Sequence, residues 1–384
     1  MKRKLDAAVV TPGSFVIPSK KSSSVEIVVE QVSRRLGNRL KLVVVGRKSR
    51  LRPAKERCNG VHYRRVPAPS PRVYIQSVSR LLKPMRPRLI QVENRPRFAR
   101  LLRRKHPKSR IWLSLHSITF VSRPHMGRKE LRRCLAAVDR IIVNSQFLGN
   151  EIARRVPEAR GKIKVNYLGV DPDRFVSRWT EEGAVKREQF LEKQGLTGKK
   201  IIVYVGRLIP IKGVHHLLEA MPEIVARVPN AMLLVVGSAY YGSSRVTPYV
   251  RRLQQMAAGF KANVRFIPYV PHDEVDDWFR LGDVLVVPSS RNEAFGLVNV
   301  EAMAAGVPVV ASRAGGMPEI IAEGVTGFTV EPELIVPGIV ERVSRLLLDE
   351  PLARQLGECS VQRVREHFTW SCTADRWVSM VQEK

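Results

Sequence analysis

Two glutamates eight residues apart, Glu293 and Glu301, bracket the stretch EAFGLVNVE in a chain that holds 66 Lys and Arg against 35 Asp and Glu. Gly296 marks a turn, and the apolar run after it predicts a helix over 297–305, ended by Gly306. Glu293 then falls at or just before the helix start, where backbone N–H groups and the helix dipole favour a carboxylate. The remaining N–H groups of Phe295, Gly296 and Leu297, beside Ala294, can face an anion. Glu301 lies about two turns deeper on roughly the same side. Two acids so placed can accept hydrogen bonds from several hydroxyls, as sugars and riboses present them. The plainer alternatives are a helix cap for Glu293 and a solvated helix-face charge for Glu301.

A second group sits in IIVYVGRLIPIKG, 201–213. A buried strand ends at Gly206, Arg207 and Lys212 follow, and Gly213 opens a helix. Two cations and a helix amino end at a strand's carboxyl end suit a diphosphate, or form an ordinary charged loop. His116 directly follows the apolar strand in RIWLSLHSITF, where either a binding or a structural role fits. In PSKKSSSVE, 18–26, small residues let backbone approach a ligand between the first strand and first helix, and Ser24 can cap that helix.

The elements that position these residues alternate. Apolar, β-branched runs predict strands at 5–10, 40–45, 89–92, 111–115, 140–143 and 162–165, then at 200–205, 231–236, 263–266, 284–287 and 307–311. Helical stripes lie between them, as at 25–36 and at 214–228, where Pro222 should kink or interrupt the helix. Near-continuous apolar strands alternating with helices mean parallel sheets covered on both faces. The alternation breaks once, around 167–190. The reading is α/β: two doubly wound, Rossmann-like domains, 1–168 and 169–366, facing across a cleft, with a closing helix over 367–384 that packs back towards the first. Cys58, Cys134, Cys359 and Cys372 have no metal or redox spacing, which points to a reducing cytoplasm. No apolar run approaches the ~20 residues of a membrane span.

Taken together, Gly206-Arg207 with Lys212-Gly213, PSSRNEAFGLVNVEAMAAGVPVVAS and AGGMPEIIAEGVTGFTV (314–330) resemble family 4 of the retaining glycosyltransferases, which have the GT-B fold. The spacing of Glu293 and Glu301 equals that family's two-glutamate motif. The resemblance covers nearly the whole chain and is strongest from 200 to 330. It implies a hexosyltransferase whose first domain binds the acceptor and whose second binds a nucleotide sugar, UDP-linked or GDP-mannose, with retention of configuration. Arg207 and Lys212 would bind the donor diphosphate, and Glu301 the ribose. Glu293 would orient the transferred sugar, with backbone at 294–297 contacting sugar or phosphate. His116 would lie beside the donor sugar, and the base near Pro268 in RFIPYV. The resemblance implies no cofactor and no metal, since cations and helix dipoles do that work; the DPD at 171–173 reads as a turn. One departure stands out. Where the family has paired glycines, Ser22 and Ser23 follow Lys20 and Lys21, adding hydroxyls and charge beside donor and acceptor.

The charge is uneven. Residues 1–170 hold 41 basic and 9 acidic residues, a net of +32, and the rest of the chain nets −1. The stretch 95–110, which opens with Arg95 and Arg97, has eight Lys and Arg and no acid. An anionic acceptor follows as an expectation: a lipid-linked sugar, a head group or a phosphate-bearing polymer, with peripheral docking at the inner membrane face. High charge that only aids solubility is the bland alternative. Sparse aromatics, 7%, and no recognisable motif argue against nucleic acid. Two other functions remain open: a non-catalytic basic envelope or coat protein on the same scaffold, and a GT-B epimerase or phosphorylase.

Overall fold

The computed structural model describes residues 5–19, 23–240, 245–289 and 293–383. Lys20, Lys21 and Ser22 therefore lie outside the described residues. The chain divides into two compact units: Met1–Leu168 with Trp370–Lys384, and Gly169–Thr369.

The first unit is an eight-stranded sheet. Its strands are β1 (Ala7–Val10), β2 (Leu42–Arg47), β3 (Lys55–Cys58), β4 (Val61–Val66), β5 (Leu89–Glu93), β6 (Arg110–Leu115), β7 (Arg140–Val143) and β8 (Ile163–Val165). They lie in the order β3-β4-β2-β1-β5-β6-β7-β8. All neighbours are parallel except β3 and β4. That edge hairpin was not expected. Its turn is Asn59-Gly60, both with positive φ, 49° and 78°, the backbone that a two-residue hairpin turn requires. β3, KERC, is too polar to signal a strand, and the same charge protects the sheet's edge.

The return to the first unit comes at Trp370 rather than 367, because the helix Glu350–His367 runs to completion first. Helix Trp370–Gln382 buries Ala374, Trp377 and Met380 in the first unit's core, with Trp377 edge-on to Trp112, ring centroids 5.7 Å apart.

The second unit is a six-stranded, all-parallel sheet of β9 (Lys200–Val205), β10 (Ala231–Val236), β11 (Val264–Ile267), β12 (Val284–Val287), β13 (Val309–Ser312) and β14 (Gly327–Val330). The order β11-β10-β9-β12-β13-β14 reverses direction between β9 and β12. Every residue of β10, β12 and β13 is buried, as strands covered on both faces require. Helix Val214–Arg227 runs through Pro222 without interruption, against the expectation. Pro222 lies on the exposed side while Leu217, Leu218, Met221 and Ile224 are buried, so packing of the apolar face outweighs one missing N–H. No helix among the described residues is long and apolar enough to cross a membrane.

A buried ion cluster ties the amino ends of β9 and β12 together. Asp283 Oδ1 accepts from Arg178 at 2.7 Å and Arg187 at 3.1 Å, and its Oδ2 takes the Ile201 N–H at 2.6 Å. Burial alone would raise the Asp283 pKa, but the two guanidinium groups and the N–H outweigh it and hold it below the ordinary value. Because the folded pKa is depressed, this stabilisation is full above the unfolded value of about 4 and is lost as pH falls through the folded one. Asp283→Asn should lower stability by about 3 kcal/mol, since it leaves two buried cations unmatched. Urea unfolding at pH 7 and at about pH 3 checks this: the gap between wild type and variant should be widest at pH 7 and narrow below the unfolded pKa. A variant as stable as wild type at pH 7 would show that the cluster does not hold these strands.

Candidate active site

Where strand order reverses in a parallel sheet, the loops leaving the two central carboxyl ends diverge and open a crevice. In the second unit those loops follow β9 and β12, and they carry Lys212 and Glu293. The β9 loop is anchored from beneath. Buried Tyr204 donates its hydroxyl to the Arg207 carbonyl at 2.9 Å. Burial, with lesser contributions from Tyr249 and Glu293, pushes that phenol well above its ordinary pKa, so it remains a donor. Arg207 itself is exposed at the loop. Gly213 ends the loop at φ 71°, and a Cβ there would lie 1.8 Å from the Pro288 carbonyl oxygen. Only glycine permits this approach of the two loops.

The result is an ion pair between Lys212 Nζ and Glu293 Oε2, with side chains 22% and 19% exposed. Ser289 Oγ lies 3.4 Å from the same oxygen. Glu293 is fixed through its backbone as well. Gly316 N–H donates to its carbonyl at 2.8 Å, and a Cβ on Gly315 would stand 1.9 Å from that oxygen. The AGG after β13 therefore holds the acid. Ala294 and Phe295 are buried, Gly296 at φ 87° caps the helix Leu297–Ala304, and Phe295 packs edge-on against Phe368. The helix begins four residues after Glu293, so the two glutamates do not share a helix face, contrary to the expectation.

Glu301 lies in the second turn of that helix, buried, and meets His272 Nε2 at 2.8 Å through Oε1. Arg174, which can only donate, lies 3.0 Å from His272 Nδ1 and also donates to the His272 carbonyl. His272 Nδ1 is therefore the acceptor, and Nε2–H donates to Glu301. Sequence reasoning missed His272 and Arg174. The available signal was the position of His272, just past the segment expected to meet the base. Pro268 follows β11 and is exposed.

In the first unit His116 follows β6. Its Nε2 lies 2.8 Å from Glu93 Oε2 and 3.2 Å from Ser114 Oγ; the backbone N–H of His116 donates to Asn94 Oδ1 at 2.9 Å. Ser23, not Ser24, caps the first helix, in extended backbone, and its hydroxyl donates to Glu26, three residues on. The Ser23 side chain makes no cap hydrogen bond to the helix backbone. Of the cations expected to meet the acceptor, the two among the described residues, Arg95 and Arg97, are engaged. Arg97 forms a two-point pair with Glu130 at 2.6 and 2.7 Å, and Arg95 stacks 3.9 Å over Phe120 while reaching Ser14 at 3.3 Å. Among the described residues no three His, Cys, Asp or Glu cluster as metal ligands do.

Two family models match: Glycosyl transferases group 1 over residues 186–363 and Glycosyltransferase Family 4 over 25–174. Spore coat protein SA of Bacillus subtilis is 31% identical over 376 residues, covering 98% of this chain and 99% of that protein. A D-inositol 3-phosphate glycosyltransferase of Streptomyces avermitilis is 37% identical over 260 residues, 65% of this chain and 53% of that enzyme. Among solved structures, Anabaena HepE in complex with UDP-glucose superposes with a TM-score of 0.78 at 18% identity, covering 98% of this chain and 100% of HepE. The fold is GT-B, and the chain belongs to glycosyltransferase family 4, the group 1 glycosyl transferases, as an enzyme that transfers sugar from a nucleotide sugar.

Proposed function

We propose that this chain moves a hexosyl group, with retention and without a metal, from a UDP-sugar to an anionic acceptor that is lipid- or polymer-linked; GDP-mannose is the second choice of donor. The observation that carries the reading is the meeting of Lys212 and Glu293 at the reversal of strand order. Arg207 and Lys212 take the diphosphate and stabilise its charge as it leaves. Glu293 orients the sugar, helped by backbone N–H groups around Gly296 and Leu297. Glu301 takes the ribose, Pro268 lines the base, and His116 serves the transferred sugar. Ser22 and Ser23 meet the nucleotide sugar, and Lys20, Lys21, Arg95 and Arg97 border the acceptor. HepE, caught with UDP-glucose, supports uridine. An enzyme named for inositol 3-phosphate supports an anionic acceptor, and a spore coat relative supports work on the cell envelope.

The site pairs are suited to exchange. Lys212 and Glu293 keep some contact with water, with side chains 22% and 19% exposed, and a diphosphate oxygen can replace the carboxylate at Lys212. A diphosphate can therefore draw Lys212 away. In a thermal-shift panel of UDP, GDP, ADP and dTDP, UDP should raise stability by about 2.7 kcal/mol at 100 times its Kd, unchanged by EDTA. Lys212→Ala should weaken that binding about tenfold or more, roughly 1.4 kcal/mol. Glu293→Gln should keep the nucleotide but lose roughly a hundredfold in donor turnover. No shift with any of the four would sink the reading, and abolition by EDTA would sink its metal-free part.

The acceptor half has its own test. The net of +32 over residues 1–170 should bind vesicles rich in anionic lipid and release them as salt rises, by counterion screening. Vesicle sedimentation reads this. Binding indifferent to lipid charge and to salt would exclude a membrane-docked form and leave a charged polymer as the acceptor.

A further inference from the structure

The strand order of the first unit also reverses, between β1 and β5, and Glu93 ends β5 there. Glu93 is 1% exposed, yet the proposed function gives it no task. It stands in a chain of buried polar groups whose direction is set at one end. Trp377, on the C-terminal helix, has an indole N–H that can only donate, and it donates to Gln91 Oε1 at 2.6 Å. The Gln91 amide is thereby oriented, and its Nε2 donates to Glu93 Oε1 at 2.6 Å. The other carboxylate oxygen, Oε2, faces His116 Nε2 at 2.8 Å. A carboxylate accepts, so His116 carries its proton on Nε2.

The opposite ring nitrogen agrees. His116 Nδ1 is buried with no hydrogen-bond partner in the structure. An N–H in that place would leave a buried donor unsatisfied. Packing does not hold the ring on its own, for a cavity of about 40 Å³ lies against it, lined by His116, Glu93, Ser114, Asn144 and Trp377 among others. The Nε2–H bond to Glu93, whose proton Ser114 Oγ at 3.2 Å can share only as a second acceptor, therefore sets the ring's orientation.

We propose that Glu93 is a positioning residue for sugar transfer: it holds His116 as the Nε2–H tautomer in one orientation, and the relay Trp377–Gln91–Glu93 holds Glu93. The proposal rests on the reading that His116 serves the transferred sugar. A group that fixes the tautomer and orientation of a working histidine commonly matters tenfold to a hundredfold when altered. Glu93→Gln is the sharp variant. It is isosteric, and because Trp377 fixes Gln91 Nε2 as a donor, the new amide keeps its oxygen on Gln91 and turns its NH2 to His116 Nε2, which forces the other tautomer.

Nitrogen-15 spectra of the histidine rings, with His116 assigned by its absence in His116→Gln, should show the Nε2–H tautomer in wild type. Glu93→Gln should lose that tautomer. Its donor turnover, read as nucleoside diphosphate release, should fall at least tenfold, with donor KM within threefold and the melt unchanged. Glu93→Asp keeps an acceptor, so it should keep the tautomer and recover part of the turnover. An Nδ1–H tautomer in wild type, a tautomer unmoved by Glu93→Gln, or a switched tautomer with unchanged turnover would each overturn the proposal. The tautomer measurement needs no substrate. Wild type that turns over no nucleotide sugar would instead overturn the reading of the whole site, and the catalytic part of this proposal with it.

Discussion

The reversal of strand order between β9 and β12 is the constraint on which the second unit's chemistry depends. Parallel strands release their chain at one end of the sheet, and only at a reversal do neighbouring loops turn apart and leave room. The requirements of that arrangement are written into backbone. Gly213 is pressed to the Pro288 carbonyl, and Gly315 to the carbonyl of Glu293, at distances no Cβ tolerates. At the other end of the same two strands, Asp283 gathers Arg178, Arg187 and the Ile201 N–H. The strands are clamped below and held open above.

The two kinds of ion pair differ in burial, and so in use. Asp283 and Arg178 are almost wholly removed from water, with side chains 10% and 7% exposed, so disrupting them leaves a charge uncompensated. The ion pair of Lys212 with Glu293 and the hydrogen bond of His272 to Glu301 retain more contact with solvent at the donor, at 22% and 35%. Those pairs hold the acids in place without binding them tightly. A ligand that brings a diphosphate and hydroxyls offers each partner an equivalent bond. A rigid frame and an exchangeable lining thus come from carboxylates whose partners differ in exposure.

Much of this was legible in the residues. Strand and helix runs follow from apolar periodicity, and the loops that bring Lys212 to Glu293 follow from where chain leaves a strand. The rest depends on partners distant in sequence. KERC forms a strand only because Asn59-Gly60 turns it back onto β4, and its own composition argues the other way. Pro222 stays helical because the face it leaves exposed is the one that can lose an N–H. His272 is marked only by its place just past the segment expected to meet the base, and Glu93 carries no local signal. Each matters through one contact, to Glu301 and to His116, made across 29 and 23 residues of chain. Arg97 looked available until Glu130 closed on it from another helix.

The central claim is one of place: the nucleoside diphosphate of the donor lies on the β9 and β12 loops of the second unit. Hydrogen–deuterium exchange with and without the nucleoside diphosphate that stabilises the protein tests it most directly. The account predicts slowed exchange in peptides covering 206–213 and 293–301, and little change at the ion cluster around Asp283. Protection confined to the first unit, or absent from both loops while the nucleotide is bound, would contradict it.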